Sequence, residues 1–151
     1  MIRSKVDWSS LLFALTFGIN IIIGFFDPIK LTFPKEIGVI LFILSWLLFI
    51  YVLFYLRTGF FGDTKPKLDI LITKGPYRFC RHPLYLSFIL MILSIGLMLR
   101  SILSLVFTVL LSIPTMVYRA NIEDKLLKDK FGEEWENYAK NIGILGPKLR
   151  R

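Results

Sequence analysis

The sequence predicts an all-α integral membrane protein of four transmembrane helices, the last two a helical hairpin, followed by a C-terminal amphipathic helix on the cytoplasmic side. Three observations predict it. Of the 151 residues 55% are hydrophobic and only 20% charged, which is too oily for a soluble domain of this length. The apolar residues gather into runs of bilayer length, separated by stretches rich in proline, glycine and charge. From Arg119 onward the composition turns charged while the apolar residues keep helical spacing. The length has room for one domain, residues 1–151.

The first run, Ser9 to Phe26, makes roughly 27 Å of helix, close to the thickness of a hydrocarbon core. The basic leader before it, with Arg3 and Lys5, resembles the start of a signal peptide. No small-residue cleavage site follows, and Phe25-Phe26-Asp27-Pro28 is a poor one, so the segment reads as a retained anchor. Pro28 and Pro34 break the helix and leave a short loop. Ile37 to Leu56 is the second span, bounded by Arg57.

Arg57 to Pro83 is the one long polar connection. Gly59, Gly62, Pro66, Gly75 and Pro76 interrupt it, while Leu68 to Ile72 is apolar enough to lie against the membrane surface. Leu84 to Tyr118 is apolar except at Arg100 and Ser101. One straight helix of that length would overshoot the bilayer by about 20 Å, so a hairpin turning at Leu99-Arg100-Ser101 is predicted, with spans 84–99 and 101–118. Pro114 is placed to kink the second arm. Beyond it Ile122, Leu126, Leu127, Phe131, Trp135 and Tyr138 form the apolar stripe of a helix that leaves the membrane at Arg119 and folds back along its surface, with Gly132 breaking or bending it. Ile142 to Arg151 reads as irregular chain.

The basic residues test this topology. Sixteen of the nineteen Lys and Arg fall on the side of the amino terminus, which places both termini and the long connection in the cytoplasm. The formal charge of +8 is therefore explained by topology and not by a nucleic-acid partner. Other chemistries are excluded by what is missing. A single histidine and a single cysteine make neither a zinc site nor an internal disulfide. No phosphate-cradling glycine motif occurs.

The residues able to carry chemistry cluster in two places. Gly75 to Tyr85 holds the only histidine, His82, and the only cysteine, Cys80, the latter read as a structural bystander. Taken one by one these residues have ordinary readings. Arg78 and Arg81 suit lipid phosphates, Tyr77 and Tyr85 an aromatic belt, and His82 a helix cap. Glu123 and Asp124 are harder to dismiss, because two adjacent carboxylates where a span meets the membrane surface call for cations or hydrogen-bond donors. Glu133, Glu134 and Glu136 read as a solvated helix face.

Together the two blocks, Gly-Pro-Tyr-(x)3-Arg-His-Pro-x-Tyr and Glu-Asp-x-Leu-Leu-(x)3-Phe-Gly-(x)5-Tyr, resemble the isoprenylcysteine carboxyl methyltransferases and their phospholipid N-methyltransferase relatives. The resemblance covers roughly Gly75 to Leu149. It implies a methyltransferase that holds S-adenosylmethionine at the cytoplasmic membrane face and acts on a lipid or lipidated acceptor arriving through the bilayer. By position, Tyr77, His82 and Tyr85 line the cofactor pocket. Glu123, with Asp124 beside it, takes the polar groups of the cofactor, and Arg119 stands nearest the reacting centre. The family usually carries Glu-Glu where this chain has Glu123-Asp124, so the second contact departs from the pattern. The acceptor stays open between isoprenylcysteine carboxylate, phosphatidylethanolamine and a small thiol. Two other readings stand beside this one: an NADPH-dependent membrane reductase of the steroid-reductase type, with a comparable helical layout, and a non-enzymatic membrane scaffold.

Overall fold

The computed structural model describes residues 8–56 and 70–148, with the side chains of 8–10 and 13 left aside. The basic leader, most of the long connection with Gly59, Gly62, Pro66 and Leu68, and the last three residues lie outside the described residues. The described chain is helical, with six α-helices and no strand: α1 (Trp8–Phe26), α2 (Lys35–Leu56), α3 (Pro83–Met98), α4 (Ile102–Phe107), α5 (Ile113–Phe131) and α6 (Glu133–Asn141). Among the described residues, α2 and the continuous 102–131 helix are long and apolar enough to cross a bilayer, while Ala14–Phe26 and Pro83–Met98 are shorter apolar helices.

Packing is centred on α3. The α2 helix lies along most of α3, and α1, α4 and α5 lie against it as well. Of the 22 residues of α2 only Gly38, Ser45 and Val52 are buried, a spacing of seven that sets one narrow seam of small residues against α3. The approach is closest at Gly38, where a methyl group would stand 2.6 Å from the Met98 amide nitrogen. Around the seam Phe42, Trp46, Phe49 and Phe88 form a chain of edge-on and tilted ring contacts. The face of α2 turned away from the seam is exposed and apolar, including Ile40, Ile43, Leu47, Ile50 and Phe54. Such a continuous oily face suits lipid and not water.

The seam between α1 and α4 is polar. Asn20, 1% exposed, donates from Nδ2 to the Ser104 carbonyl (3.1 Å) and to Thr108 Oγ1 (2.7 Å), and accepts from Ser104 Oγ (2.6 Å). Immediately after α1, Asp27 caps α4 from a distance. Its Oδ2 accepts from Ser101 Oγ (2.5 Å) and the Leu103 amide (2.9 Å), while Oδ1 accepts from the Ile29 amide (2.8 Å). The Leu103 amide, in the first turn of α4, would otherwise be unpaired.

Two details of the last helix differ from the sequence reading. The effect of Pro114 appears one turn earlier than the proline itself, as a π-helical turn over Thr108–Ser112. Proline lacks the amide that would bond four residues back, and widening the preceding turn relieves the ring clash. More consequentially, the helix does not end near Tyr118. It runs unbroken to Phe131, because a change from apolar to charged residues alters what surrounds a helix without interrupting its hydrogen bonds. The break comes at Gly132, whose φ of 55° and ψ of −124° suit only glycine. The amphipathic stripe is thus divided between α5 and the separate nine-residue α6.

Candidate active site

The first motif block folds as a hook. Gly75–Arg78 make a 3-10 turn opened by Pro76, and Phe79 to Arg81 are irregular before Pro83 starts α3 as its first helical residue, where its missing amide costs nothing. An irregular hook leaves backbone amides to satisfy, and the C-terminal tail supplies the acceptors. The Arg81 amide donates to the Gly143 carbonyl (2.9 Å) and the His82 amide to the Ile144 carbonyl (3.0 Å). From α6, the Tyr138 hydroxyl donates to the Tyr77 carbonyl (2.7 Å). The two ends of the motif region, remote in sequence, therefore hold each other in shape.

His82 is the N-cap residue of α3, yet its side chain makes no cap bond. It turns instead to α5. Nε2 lies 2.8 Å from Asp124 Oδ1 and Nδ1 lies 3.4 Å from Glu123 Oε2. Asp124 uses its other oxygen on Arg81, whose Nη1 is 2.8 Å away, and the Arg81 guanidinium covers the Trp135 ring at 5.4 Å. The cluster is closed to water: His82 is 4% exposed and Asp124 7%. Burial opposes a charge on His82, but the Asp124 and Glu123 carboxylates on its two nitrogens outweigh it and raise its pKa above the ordinary 6.5.

Beyond His82 the cluster continues into the helical core. The Tyr85 ring stacks on His82 with centroids 5.4 Å apart and an angle of 17°. Arg119, one turn before Glu123 on α5, donates from Nε to the Tyr85 hydroxyl (3.1 Å) and sits over the same ring at 5.9 Å. Tyr85 also packs with Ile89, Met116 and Ala120, on which Ile144 and Leu145 of the tail lie. Burial and the neighbouring Glu123 carboxylate push the Tyr77 phenol far up, and burial does the same to Tyr138, so both stay protonated. Cys80 is 2% exposed, and burial raises its thiol to about 11, leaving it inert.

Six residues singled out in the sequence, Tyr77, His82, Tyr85, Arg119, Glu123 and Asp124, thus meet where α3 begins, α5 passes and the tail returns. They do not meet as equals. Both oxygens of Asp124 are engaged by Arg81 and His82, whereas the Glu123 side chain, 31% exposed, meets His82 Nδ1 at the longer 3.4 Å and the Tyr85 hydroxyl. Sequence reasoning passed over Arg81, read as a lipid-phosphate contact, and over Trp135 and Tyr138, read as parts of an amphipathic stripe. The available signals were the direct adjacency of Arg81 to His82 and the placing of Tyr138 at the end of the second motif block. Arg81, Asp124 and Trp135 also border an open groove lined by Asn121, Lys125 and Lys128. Among the described residues no group of His, Cys, Asp and Glu is arranged to hold a metal ion.

The chain is 31% identical over 121 residues to the methanethiol S-methyltransferase of Pseudomonas deceptionensis, covering 74% of this chain and 45% of that protein. It is 39% identical over 86 residues to the cobalt-zinc-cadmium resistance protein CzcN of Cupriavidus metallidurans, covering 55% of this chain and 38% of that protein. It is 37% identical over 86 residues to the nickel-cobalt-cadmium resistance protein NccN of Alcaligenes xylosoxydans xylosoxydans, covering 52% and 37%. The chain spans less than half the length of these curated relatives. The phospholipid methyltransferase family matches residues 34–134, from the start of α2 to the start of α6, and with its two long apolar helices this chain is a membrane protein that belongs to that methyltransferase family.

Proposed function

We propose that this chain is an S-adenosylmethionine-dependent methyltransferase that crosses the membrane four times, with both termini in the cytoplasm, and methylates a lipid or lipidated acceptor such as an isoprenylcysteine carboxylate or a phospholipid amine. The observation that carries the reading is the meeting of the two motif blocks: His82 lies between Glu123 and Asp124, about forty residues on, in a buried cluster at the mouth of α3. The residues suit the cofactor. Glu123 keeps an exposed carboxylate edge for ribose hydroxyls or an ammonium group. Arg81 Nε and Trp135 Nε1 are buried donors without a partner, and a ligand rich in acceptors would satisfy them. Tyr77, His82 and Tyr85 present ring faces and edges to line the pocket. Asp124 serves by holding His82 and Arg81 in place. Arg119, over the Tyr85 ring, stands where the acceptor would meet the methyl group.

The bound cofactor would supply an activated methyl group on a sulfonium whose leaving group is a neutral thioether, so no strong acid is required. The protein contributes position and the exclusion of water. A small thiol acceptor is the second reading, favoured by the likeness to a protein named as a methanethiol S-methyltransferase.

Calorimetric titration of the detergent-purified protein with S-adenosylhomocysteine tests the assignment, with NADPH run in parallel. Saturable binding is expected for S-adenosylhomocysteine alone, weakened about tenfold or more in Glu123→Ala and in His82→Ala while the helical circular dichroism is kept, a loss of about 1.4 kcal/mol or more. Unchanged affinity in both variants would sink the site, and binding of NADPH alone would favour the reductase reading.

A further inference from the structure

We infer that Tyr55, near the C-terminal end of α2 and outside both motif blocks, is a positioning residue of the site: its ring braces the Gly75–Arg78 turn and so sets where Tyr77 stands. The inference rests on the methyltransferase reading and adds to it a residue from α2, which supplies none of the six site residues. The turn is weak when taken alone. It is a single 3-10 turn, closed by a Tyr77 amide that donates to the Lys74 carbonyl at 3.3 Å and a Phe79 amide that donates to the Pro76 carbonyl at 3.2 Å. Such bonds lie at or beyond the long end of the ordinary range, so the turn needs outside support to keep one shape.

Tyr138 gives that support on one side, through its hydroxyl on the Tyr77 carbonyl (2.7 Å). Tyr55 gives it on the other. Gly75 has a φ of 62°, and a methyl group added to its Cα would stand 2.6 Å from both Cε atoms of the Tyr55 ring and closer still to Cζ. The outer end of the ring therefore fills the space that a side chain at residue 75 would take, so the position is glycine both for its backbone angle and for this contact. The ring is fixed in turn by its own helix. It meets Tyr51 edge-on with centroids 5.2 Å apart and Phe54 at 5.9 Å, and the hydroxyls of Tyr51 and Tyr55 share a hydrogen bond.

Tyr77 follows the braced glycine by two residues and stands near the Glu123 carboxylate. Pro76, buried between them, has its φ locked by its ring, so a displacement of Gly75 is carried on to Tyr77 and not absorbed. A misplacement of about 1 Å is enough to spoil the fit of a site. The same hook carries Cys80, the only cysteine of the chain, which is 2% exposed. Its accessibility reports whether the hook is held, whatever the site binds.

The test reads two quantities in detergent, well below the melting temperature: the rate at which N-ethylmaleimide alkylates Cys80, followed by mass, and the calorimetric affinity for S-adenosylhomocysteine. Tyr55→Ala frees the hook to open locally, and should raise the Cys80 rate about tenfold or more and weaken S-adenosylhomocysteine about tenfold. A residue that only packed α2 would lower the melting temperature and leave both readings alone. Tyr55→Phe keeps the ring and should keep both wild-type values, while saturating S-adenosylhomocysteine should slow the Tyr55→Ala alkylation again. Tyr55→Leu, which retains more apolar volume, takes the place of Tyr55→Ala if that variant does not fold, with the same changes expected. A wild-type Cys80 rate in the variant that lacks the ring would overturn the brace, and a raised rate with unchanged affinity would overturn its part in positioning the site. If the wild-type protein does not bind S-adenosylhomocysteine, the cofactor reading falls by itself, and the Cys80 rate still decides the brace.

Discussion

The two ends of α3 each bury a carboxylate, and they treat it in opposite ways. At the far end Asp27 is surrounded by neutral donors, the Ser101 hydroxyl and the amides of Leu103 and Ile29, with Lys30 close by. At the near end Asp124 is held by two cations, Arg81 and His82. Neutral donors fix a turn and ask nothing more of the structure, so the Asp27 end ties the α1–α2 loop to the start of α4. Buried cations contribute less than apolar packing of the same volume would, which makes their presence a pointer to chemistry and not to stability. The same residue type therefore marks a joint at one end and a site at the other.

The largest expected effect comes from breaking the charged end. Asp124→Ala leaves Arg81 and His82 buried without their shared carboxylate and should cost about 3–5 kcal/mol of stability, read as a large fall in melting temperature in detergent. S-adenosylhomocysteine affinity should fall with it. Asp27→Ala should lower the melting temperature less and leave that affinity alone. Equal losses of affinity in the two variants would erase the contrast between joint and site.

The ends should also respond to pH with opposite signs. Burial works against the Asp27 charge, but its hydrogen bonds to Ser101, Leu103 and Ile29 and the nearby Lys30 outweigh it and bring its pKa below 3.8. Its contribution is thus present above the ordinary carboxylate range and is lost as pH falls through the lowered value. His82 is raised above 6.5, so its contribution is full below that value and is lost as pH rises through the raised one. Melting temperature against pH should therefore decline on both sides. His82→Gln should flatten the alkaline decline and Asp27→Asn should reduce the acid one. A swap of the two assignments would show that other groups govern the profile.

How much of this was legible in the sequence follows the same division. Bilayer-length apolar runs announce helices because lipid leaves backbone amides no partner but one another, and proline and glycine mark where the runs stop. The end of the last helix was not legible at Arg119, since charge is no obstacle to helical hydrogen bonding; only Gly132, with its positive φ, stops it. The grouping of His82, Tyr85, Glu123 and Asp124 was legible through motif resemblance, because such residues are rare in oily sequence. Their division of labour was not, because the engagement of Asp124 by Arg81 depends on the angle at which α5 crosses the hook. The capping role of Asp27 was hidden altogether, its partner Ser101 lying 74 residues away. The small polar residues inside the spans, Asn20, Ser104 and Thr108, gave no hint of pairing either.

Asn20 is the case that sharpens the comparison most finely. It sits seven residues before Asp27 and ties the same pair of helices, through the Ser104 carbonyl and the Thr108 hydroxyl, but carries no charge. If the far end is only a joint, Asn20→Leu should act as a weakened Asp27→Ala. The loss should be about 1 kcal/mol, since polar contacts between membrane helices average less than their gas-phase strength and the unfolded chain finds partial substitutes. Ser104 and Thr108 limit the damage, because Thr108 Oγ1 already donates to the Ser104 carbonyl at 2.8 Å and can keep that bond. The affinity for S-adenosylhomocysteine, measured on the same sample, should not move, and neither should the alkaline decline assigned to His82. A loss of affinity here would mean that the π-helical turn beside Thr108 transmits strain along α5 to Glu123, and the two ends of α3 would have to be treated as one coupled device.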